Sequence, residues 1–190
     1  VERLHSHFAN SGASVAMLSC HYLQIPWSLT LHGISETDYP AGQLLGEKLR
    51  RADFVACASY FMQAQAIRMS SADDWSKFHI VRCGVPQALL GKTPNSHKLG
   101  RVPKLLCVGR LSPEKGHSGL LTALAALKAE GMIAQLQLVG DGPLRESLQS
   151  EAEQLGLGAD VEFCGYMPEE GTLAEMAQAD IVVLPSLMEG

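Results

Sequence analysis

Residues 104–140 read KLLCVGRLSPEKGHSGLLTALAALKAEGMIAQLQLVG, and this stretch decides the fold class. Two short apolar runs, at residues 105–108 and 136–139, have the length of strands, and the text between them is helical through Ala129. The runs are almost continuously apolar, which is typical of parallel strands covered on both faces. The stretch therefore predicts a strand–helix–strand unit of an α/β protein.

The same alternation extends in both directions along the chain. In the second half, further strands are predicted at 161–164 and 181–184, each preceded by apolar residues at helical spacing. The first half is less regular, with helices predicted at 12–22, 44–51 and 60–69 and strands at 27–31, 54–57 and 78–81. The pattern predicts two Rossmann-like domains, each built around a parallel sheet.

A polar stretch at residues 91–101 separates the two halves, so we place the domain boundary near 86–102. The predicted domains are residues 1–90 and residues 91–190. The chain starts at Val1 and stops directly after a strand-like run, so we expect it to be a fragment in which both domains are incomplete. Expressed alone, such a fragment is expected to be poorly soluble and inactive, because unpaired apolar surface favours aggregation.

The composition excludes several classes of protein. Among 190 residues, 46% are hydrophobic and 18% charged, which is typical of a folded globular protein and not of a disordered one. No apolar run approaches the roughly 20 residues of a membrane-spanning helix, and no signal-peptide pattern occurs. A formal net charge of −5 argues against a nucleic-acid binder. We expect a cytoplasmic protein.

The cysteines and histidines predict neither a disulfide framework nor a metal site. The chain has five cysteines and no C-x-x-C pair, so they are expected to be reduced thiols packed as small apolar residues. His5 and His7 would share one face of a strand, but a third metal ligand is not evident.

A loop at residues 109–116 carries the strongest chemical signal. It follows a strand and precedes a helix, with Ser112 as a candidate N-cap and Pro113 at the first helical position. Arg110 and Lys115 flank that helix start, where free N–H groups attract anions. Two cations at this place suit a diphosphate; a capped helix with exposed basic side chains is the alternative.

Three other turns follow predicted strands. Gly140 and Gly142 form a tight turn that would let a ligand approach the backbone, but the third glycine of the dinucleotide fingerprint is missing, which disfavours an NAD-dependent dehydrogenase. His32 follows the strand at 27–31, where ligands bind in open α/β sheets, although a half-buried structural histidine fits equally well. Ser186 and Glu189 follow the last strand and are expected at the same crevice as Arg110.

Lys48, Arg50 and Arg51 form a basic cluster on the predicted helix at 44–51. A basic amphipathic helix can contact an anionic membrane, which would place the protein at the inner face of the membrane. The simpler interpretation, which we favour, is an ordinary surface helix with a solvated face.

An ordered set of short motifs resembles the retaining glycosyltransferases of family 4, and two stretches, His5-Ser6-His7-Phe8 and residues 27–32, are most similar to bacterial exopolysaccharide glycosyltransferases. The resemblance implies the GT-B architecture of two Rossmann-like domains facing a cleft. The matching motifs are His32-Gly33, Ala52-Asp53, Ala58-Ser59, Gly84-Val85, Gly109-Arg110-Leu111, Glu114-Lys115-Gly116, Gly140-Asp141-Gly142-Pro143, Phe163-Cys164-Gly165, Pro185-Ser186 and Glu189-Gly190.

The resemblance also implies roles for individual residues. Arg110 and Lys115 would hold the diphosphate of a UDP or GDP sugar, and Glu189 and His32 would be catalytic residues that face the donor sugar. The donor-site loops would include Gly109, Gly140, Gly142, Gly165, Tyr166 and Ser186, with residues 165–167 at the nucleobase. The acceptor would be a glycan or glycolipid, and neither a cofactor nor a metal is implied, because the two cations stabilise the leaving diphosphate.

The family pairs its glutamate with a second one eight positions further on, beyond the end of this sequence. Two alternatives to a transferase therefore stay open: a nucleotide-sugar epimerase of the same architecture, and a non-catalytic homologue that binds nucleotide sugars.

Overall fold

The computed structural model describes residues 1–85, 87 and 102–188. The chain divides into two compact units, one containing the first parallel sheet and the other the second. Most of the predicted linker at 86–102 lies outside the described residues, of which only Gln87 and Val102 belong to it. Glu189 also lies outside them.

The first unit is a four-stranded, entirely parallel sheet in the order β1-β2-β3-β4. Two strands coincide with the predicted ranges, and the last strand and the three helices differ from theirs by one residue at one or both ends, whereas the first strand, Leu4–His7, was not assigned a range from the sequence. The elements are β1 (Leu4–His7), α1 (Ser11–Leu23), β2 (Trp27–Leu31), α2 (Leu45–Arg51), β3 (Phe54–Cys57), α3 (Tyr60–Arg68) and β4 (Phe78–Ile80), with short 3-10 turns at Ile34–Glu36 and Ala72–Lys77.

The core of this unit lies between the sheet and its helices. Leu29, Leu31 and Val55 on the central strands are fully buried, and α1 packs Ala13 and Met17 against them. Central strands of a parallel sheet are covered on both faces, which is why β3 is entirely apolar and β2 has only Ser28 and Thr30 as polar residues.

The second unit repeats the architecture, with a parallel sheet in the order β7-β6-β5-β8. The prediction of an α/β fold with two parallel sheets is therefore confirmed. The elements are β5 (Lys104–Val108), a 3-10 turn (Pro113–Lys115), α4 (His117–Ala129), β6 (Gln135–Val139), α5 (Arg145–Gln154), β7 (Val161–Gly165), α6 (Glu169–Gln178) and β8 (Ile181–Val182).

Strand β8 is shorter than predicted. It pairs with β5 over only two residues. Just beyond them, the Val183 N–H donates a hydrogen bond to the Leu106 carbonyl oxygen at 2.8 Å. The following Pro185 has no N–H to continue the pairing. Ile181 is 54% exposed, so this edge strand is not the doubly covered strand that its apolar sequence predicted.

Each sheet directs the carboxyl ends of all its strands to one edge, because all pairs are parallel. The motif-bearing loops follow those ends, so the topology gathers them at two edges, one in each unit. No helix among the described residues is long and apolar enough to cross a membrane.

Candidate functional site

In the second unit, three loops at the carboxyl edge are joined through their backbones. The Gly109 N–H donates to the Val139 carbonyl at 2.9 Å, and the Leu111 N–H to the Asp141 carbonyl at 3.1 Å. The Gly140 N–H donates to the Gly165 carbonyl at 2.8 Å. The ends of β5, β6 and β7 therefore form one continuous rim, on which the predicted donor-site loops lie side by side.

The two glycines of the Gly140–Gly142 turn are required by this packing. Gly140 has φ +137°, and a Cβ there would lie 2.9 Å from the Gly109 carbonyl carbon and nearer still to its oxygen. A Cβ on Gly142 would lie 2.5 Å from the Leu111 carbonyl oxygen. The sequence predicted that a ligand would approach this turn closely. In the structure it is the backbone of the neighbouring loop, at Gly109 and Leu111, that does so.

Arg110 and Lys115 both lie on the segment that follows the carboxyl end of β5. Arg110 is exposed and Lys115 is half-buried, with its aliphatic stem turned back over Gly109. Both cations lower the pKa of the nearby Glu114 carboxyl, although the hydrogen bond from Ser112 is the largest cause of that shift. The end of β5 therefore carries two cations beside one carboxylate.

The prediction that Ser112 caps the following helix is wrong. Ser112 precedes a single 3-10 turn, and its hydroxyl donates to the Glu114 carboxylate at 2.6 Å instead of accepting from the backbone. Gly116 then adopts a left-handed conformation at φ +68°, and α4 begins only at His117 without a side-chain cap. This left-handed backbone interrupts the helical turn at Gly116. A residue with a Cβ would be strained in the same conformation.

The loop after β8 packs on this same turn. The Leu187 N–H donates to the Glu114 carbonyl at 2.8 Å, and a Cβ at Gly116 would lie 3.1 Å from the Pro185 carbonyl carbon. Ser186 thus lies on the segment that contacts the Lys115 turn, because strand order sets β8 next to β5.

At the other side of the rim, Gly165 ends β7 with φ +72° and is followed by Tyr166, which is 80% exposed. The Arg145 guanidinium donates to the Phe163 carbonyl at 3.2 Å and supports this end of the strand. Sequence analysis did not single out Arg145. Its position three residues after Gly142, at the first turn of α5, was the available signal.

In the first unit, His32 lies at the carboxyl end of β2. Its Nε2 is 2.8 Å from Nδ1 of His7, its ring centroid is 4.6 Å from that of the tilted Phe8 ring, and its Nδ1 is 3.9 Å from the Cys83 thiol. The segment bearing His5 and His7 is a strand, and His5 is held between Ser28 and Thr30.

A buried pair of charged residues fixes the backbone around His32. The Glu36 carboxylate, 4% exposed, accepts hydrogen bonds from the N–H groups of His32 at 2.6 Å, Gly33 at 2.9 Å and Ala9. The fully buried Lys48 donates from Nζ to the Ala9 carbonyl at 2.7 Å and the Asn10 carbonyl at 2.8 Å. Sequence analysis missed Glu36 and read Lys48 as a surface charge.

The burial of Lys48 shows that the predicted basic cluster on α2 does not lie entirely on the surface. Burial lowers the pKa of Lys48, and Arg50 and Arg51 both pair with the Glu47 carboxylate. One of three cations is therefore inside the protein and two share a counter-charge. Arg50 and Arg51 are the two members of the cluster that remain at the surface, and contact with a membrane stays a prediction.

The cysteines are free thiols, but only three of the five are buried. Burial raises the pKa of Cys57 to about 11 and also raises that of Cys107, so both behave as apolar residues. Cys83 is exposed and Cys164 is half-buried. No group of three or more His, Cys, Asp or Glu side chains within the described ranges could hold a metal ion.

Residues 92–190 match the family model described as glycosyl transferases group 1, and this match covers more than half of the chain. The chain belongs to this family. A stretch of 92 residues is 37% identical to the GDP-mannose-dependent alpha-(1-6)-phosphatidylinositol monomannoside mannosyltransferase of Mycolicibacterium smegmatis, covering 48% of the chain and 24% of that enzyme. A Bacillus subtilis protein, TuaC, provisionally named as a teichuronic acid biosynthesis glycosyltransferase, is 26% identical over 98% of the chain and 48% of its own length.

Among solved structures, the Anabaena protein HepE in complex with UDP-glucose superposes with a TM-score of 0.77 at 21% identity, covering 97% of this chain and 53% of HepE. At that identity the likeness establishes the fold, which is part of a GT-B fold. Even the matches that include nearly the whole chain extend over only about half of the relative.

Proposed function

We propose that this protein takes part in transferring a sugar from a nucleotide-sugar donor to a hydroxyl group of a glycan or glycolipid acceptor. The observation that carries the proposal is the pair of cations, Arg110 and Lys115, at the carboxyl end of β5 in a group 1 glycosyl transferase chain. Ligands of open α/β sheets bind at this edge. The rim formed by the loops at 109–111, 140–142 and 165–167 offers a nucleotide sugar a continuous surface beside those cations.

The reaction breaks the bond between the anomeric carbon and the diphosphate oxygen, and the acceptor oxygen forms a new bond to that carbon. The electron pair of the broken bond leaves with the nucleoside diphosphate, while the acceptor loses its proton. Negative charge therefore grows on the diphosphate in the transition state, and Arg110 and Lys115 would stabilise it there. Donor and product are proposed to have the same anomeric configuration, as in the retaining glycosyltransferases of family 4.

His32 and Glu189 are proposed to face the donor sugar. The backbone of His32 is fixed by the buried Glu36 carboxylate, which supports a positioning of the ring that does not depend on ligand. The proposed role of Glu189 rests on the resemblance of Pro185-Ser186 and Glu189-Gly190 to the motif of family 4.

The donor is proposed to be a UDP or GDP sugar. The names of similar proteins include both: the mycobacterial relative is GDP-mannose-dependent, and HepE was solved with UDP-glucose. A thermal-shift panel of UDP, GDP and ADP sugars on the full-length protein separates these donors, because a ligand at about 100 times its Kd stabilises by about 2.7 kcal/mol.

Substitution of the two cations tests the proposal. In the full-length protein, Arg110→Ala or Lys115→Ala should lower kcat/KM roughly 30- to 1000-fold, equivalent to about 2–4 kcal/mol of transition-state stabilisation. Lys128→Ala is the matched control, because it removes a cation near the end of α4, where Lys128 pairs with Asp160. Near-normal turnover in both variants would refute the assignment, and epimerised donor without a transfer product would favour the epimerase instead.

Metal independence is a separate part of the proposal. Since two cations are proposed to neutralise the diphosphate, activity should persist in excess EDTA. Loss of activity on chelation, with recovery on adding manganese or magnesium, would contradict it.

A further inference from the structure

The rings of His7 and His32 meet nitrogen to nitrogen. Nδ1 of His7 lies 2.8 Å from Nε2 of His32, and the ring centroids are 5.1 Å apart. At that separation, one nitrogen carries the hydrogen and the other accepts it, since two N–H groups would repel and two lone pairs would leave no bond. The tautomer of each neutral ring therefore determines that of the other.

His7 is itself held in place. It lies on β1, opposite Thr30 in the parallel register, and its ring packs edge-on against His5 at 5.0 Å. His5 accepts or donates hydrogen bonds at both nitrogens, to Ser28 at 2.7 Å and Thr30 at 2.8 Å. Partial burial, and then the nearby His7 and His32, lower the pKa of His5, so the cluster disfavours a charge on the His5 ring.

The second nitrogen of His32 has a weaker partner. Its Nδ1 is 3.9 Å from the exposed Cys83 thiol, a longer and weaker contact than an N–H···N bond. Phe8 covers one side of the ring at 4.6 Å, and Glu36 fixes the backbone through the His32 N–H. Of the two ring nitrogens, Nδ1 is the one that can exchange its partner for a ligand at little cost.

We propose that His7 is a positioning residue that engages Nε2 of His32 and so leaves Nδ1 as the atom that meets a sugar hydroxyl. This inference rests on the proposed role of His32 at the donor sugar. When Nδ1–H of His7 donates, His32 carries its hydrogen on Nδ1 and donates to a sugar oxygen; in the opposite arrangement, Nδ1 of His32 accepts from a sugar hydroxyl. His7 thus acts on the substrate only through His32.

The first test reads the tautomers directly by ¹⁵N NMR of the imidazoles at a pH where the rings are neutral. Wild-type His32 should show one tautomer, and His7→Ala should convert it to a mixture. His7→Asn is the rescue variant, because its side-chain amide can place a hydrogen-bonding atom where Nδ1 of His7 lies and so restore a partner for Nε2 of His32. His79→Ala is the control, since His79 stacks on Phe54 and does not contact the pair. A tautomer mixture in the wild type, or no change in His7→Ala, would overturn the proposal.

The second test uses kinetics in the full-length protein. His7→Ala should lower kcat/KM by about 10- to 100-fold, the cost of misplacing a group by roughly 1 Å, with most of the loss in kcat and recovery in His7→Asn. In a His32→Ala background, His7→Ala should have no further effect. An equal loss in both backgrounds would overturn the positioning role. Absence of any transferase activity would instead refute the proposed function, while the NMR result would still decide whether His7 sets the tautomer of His32.

Discussion

Replacing Gly140 with alanine should destabilise the unit that contains β5 to β8 by about 2–6 kcal/mol. The perturbation has two parts. An L-residue at φ +137° is strained by about 1–3 kcal/mol. Its Cβ would also overlap the Gly109 carbonyl, and separating the two loops costs a further amount of about 1–3 kcal/mol, as in an overpacked core.

The overlap cannot be relieved by rotating a side chain, because the opposing atoms are backbone. Moving the Gly109 loop would strain the hydrogen bond from Gly109 to Val139, and moving Gly140 would strain its bond to Gly165. Each of these bonds contributes about 1 kcal/mol. Movement of Gly109 would also displace Arg110, so donor binding should weaken together with stability.

The assay is urea denaturation followed by circular dichroism, with amide exchange at Leu136 and Leu138 to report on β6. Tryptophan fluorescence is an internal reference, because both tryptophans, Trp27 and Trp75, lie in the first unit. Gly119→Ala is the matched control: this helical glycine has no atom within 4 Å of a built Cβ, so alanine should stabilise by about 0.4–1 kcal/mol. An average substitution lowers the free energy of unfolding by about 1 kcal/mol. If Gly140→Ala lowered it by no more than about 1 kcal/mol, the packing argument would be refuted.

Two further predictions concern α2. Lys48→Met should lower the free energy of unfolding by about 1–3 kcal/mol, because the buried Ala9 carbonyl and the partly buried Asn10 carbonyl lose their donor; a urea midpoint equal to that of the wild type would contradict this. The pKa of Glu47 should be about 2, lowered chiefly by the hydrogen bond from Arg50, and NMR titration of the carboxyl should show it. Because the folded pKa lies below the ordinary value, the stabilising contribution is present above pH 4.5 and disappears as the pH falls towards 2. Arg50→Ala should shift the midpoint upward, and a wild-type midpoint near 4.5 would count against the pairing.

Much of the fold could be predicted because its signals are local. Trp27–Leu31 and Phe54–Cys57 are strands at the predicted residues, since a short stretch of four or five residues rich in apolar and aromatic side chains is recognisable from its own sequence. The start of α4 was mispredicted because Ser112 and Pro113 are suitable for either a 3-10 turn or a helix. The left-handed Gly116 ends the 3-10 turn before α4 begins, and the close approach of Pro185 from a distant part of the sequence leaves no space for a Cβ there.

The candidate site was predictable only in part. Arg110 and Lys115 stand in a motif that the sequence displays, whereas the significance of Glu36 and Lys48 depends on burial. A glutamate and a lysine are surface residues by composition statistics, and only the tertiary contacts with the 9–10 backbone and the loop at His32 show otherwise.

The sequence by itself determined the alternation of strands and helices, the parallel sheets that it requires, and the order of the motif-bearing turns, because each follows from periodicity and residue type within about ten neighbouring positions. Only the tertiary structure decided which turns touch. Strand order sets β8 beside β5, the parallel register sets His7 beside the end of β2, and the rim of the second sheet sets Gly140 against Gly109. The contacts between His7 and His32 and between Leu187 and Glu114 join residues that are far apart in the sequence. Gly140 approaches Gly109 at a distance that only glycine tolerates. No local sequence pattern encodes such contacts.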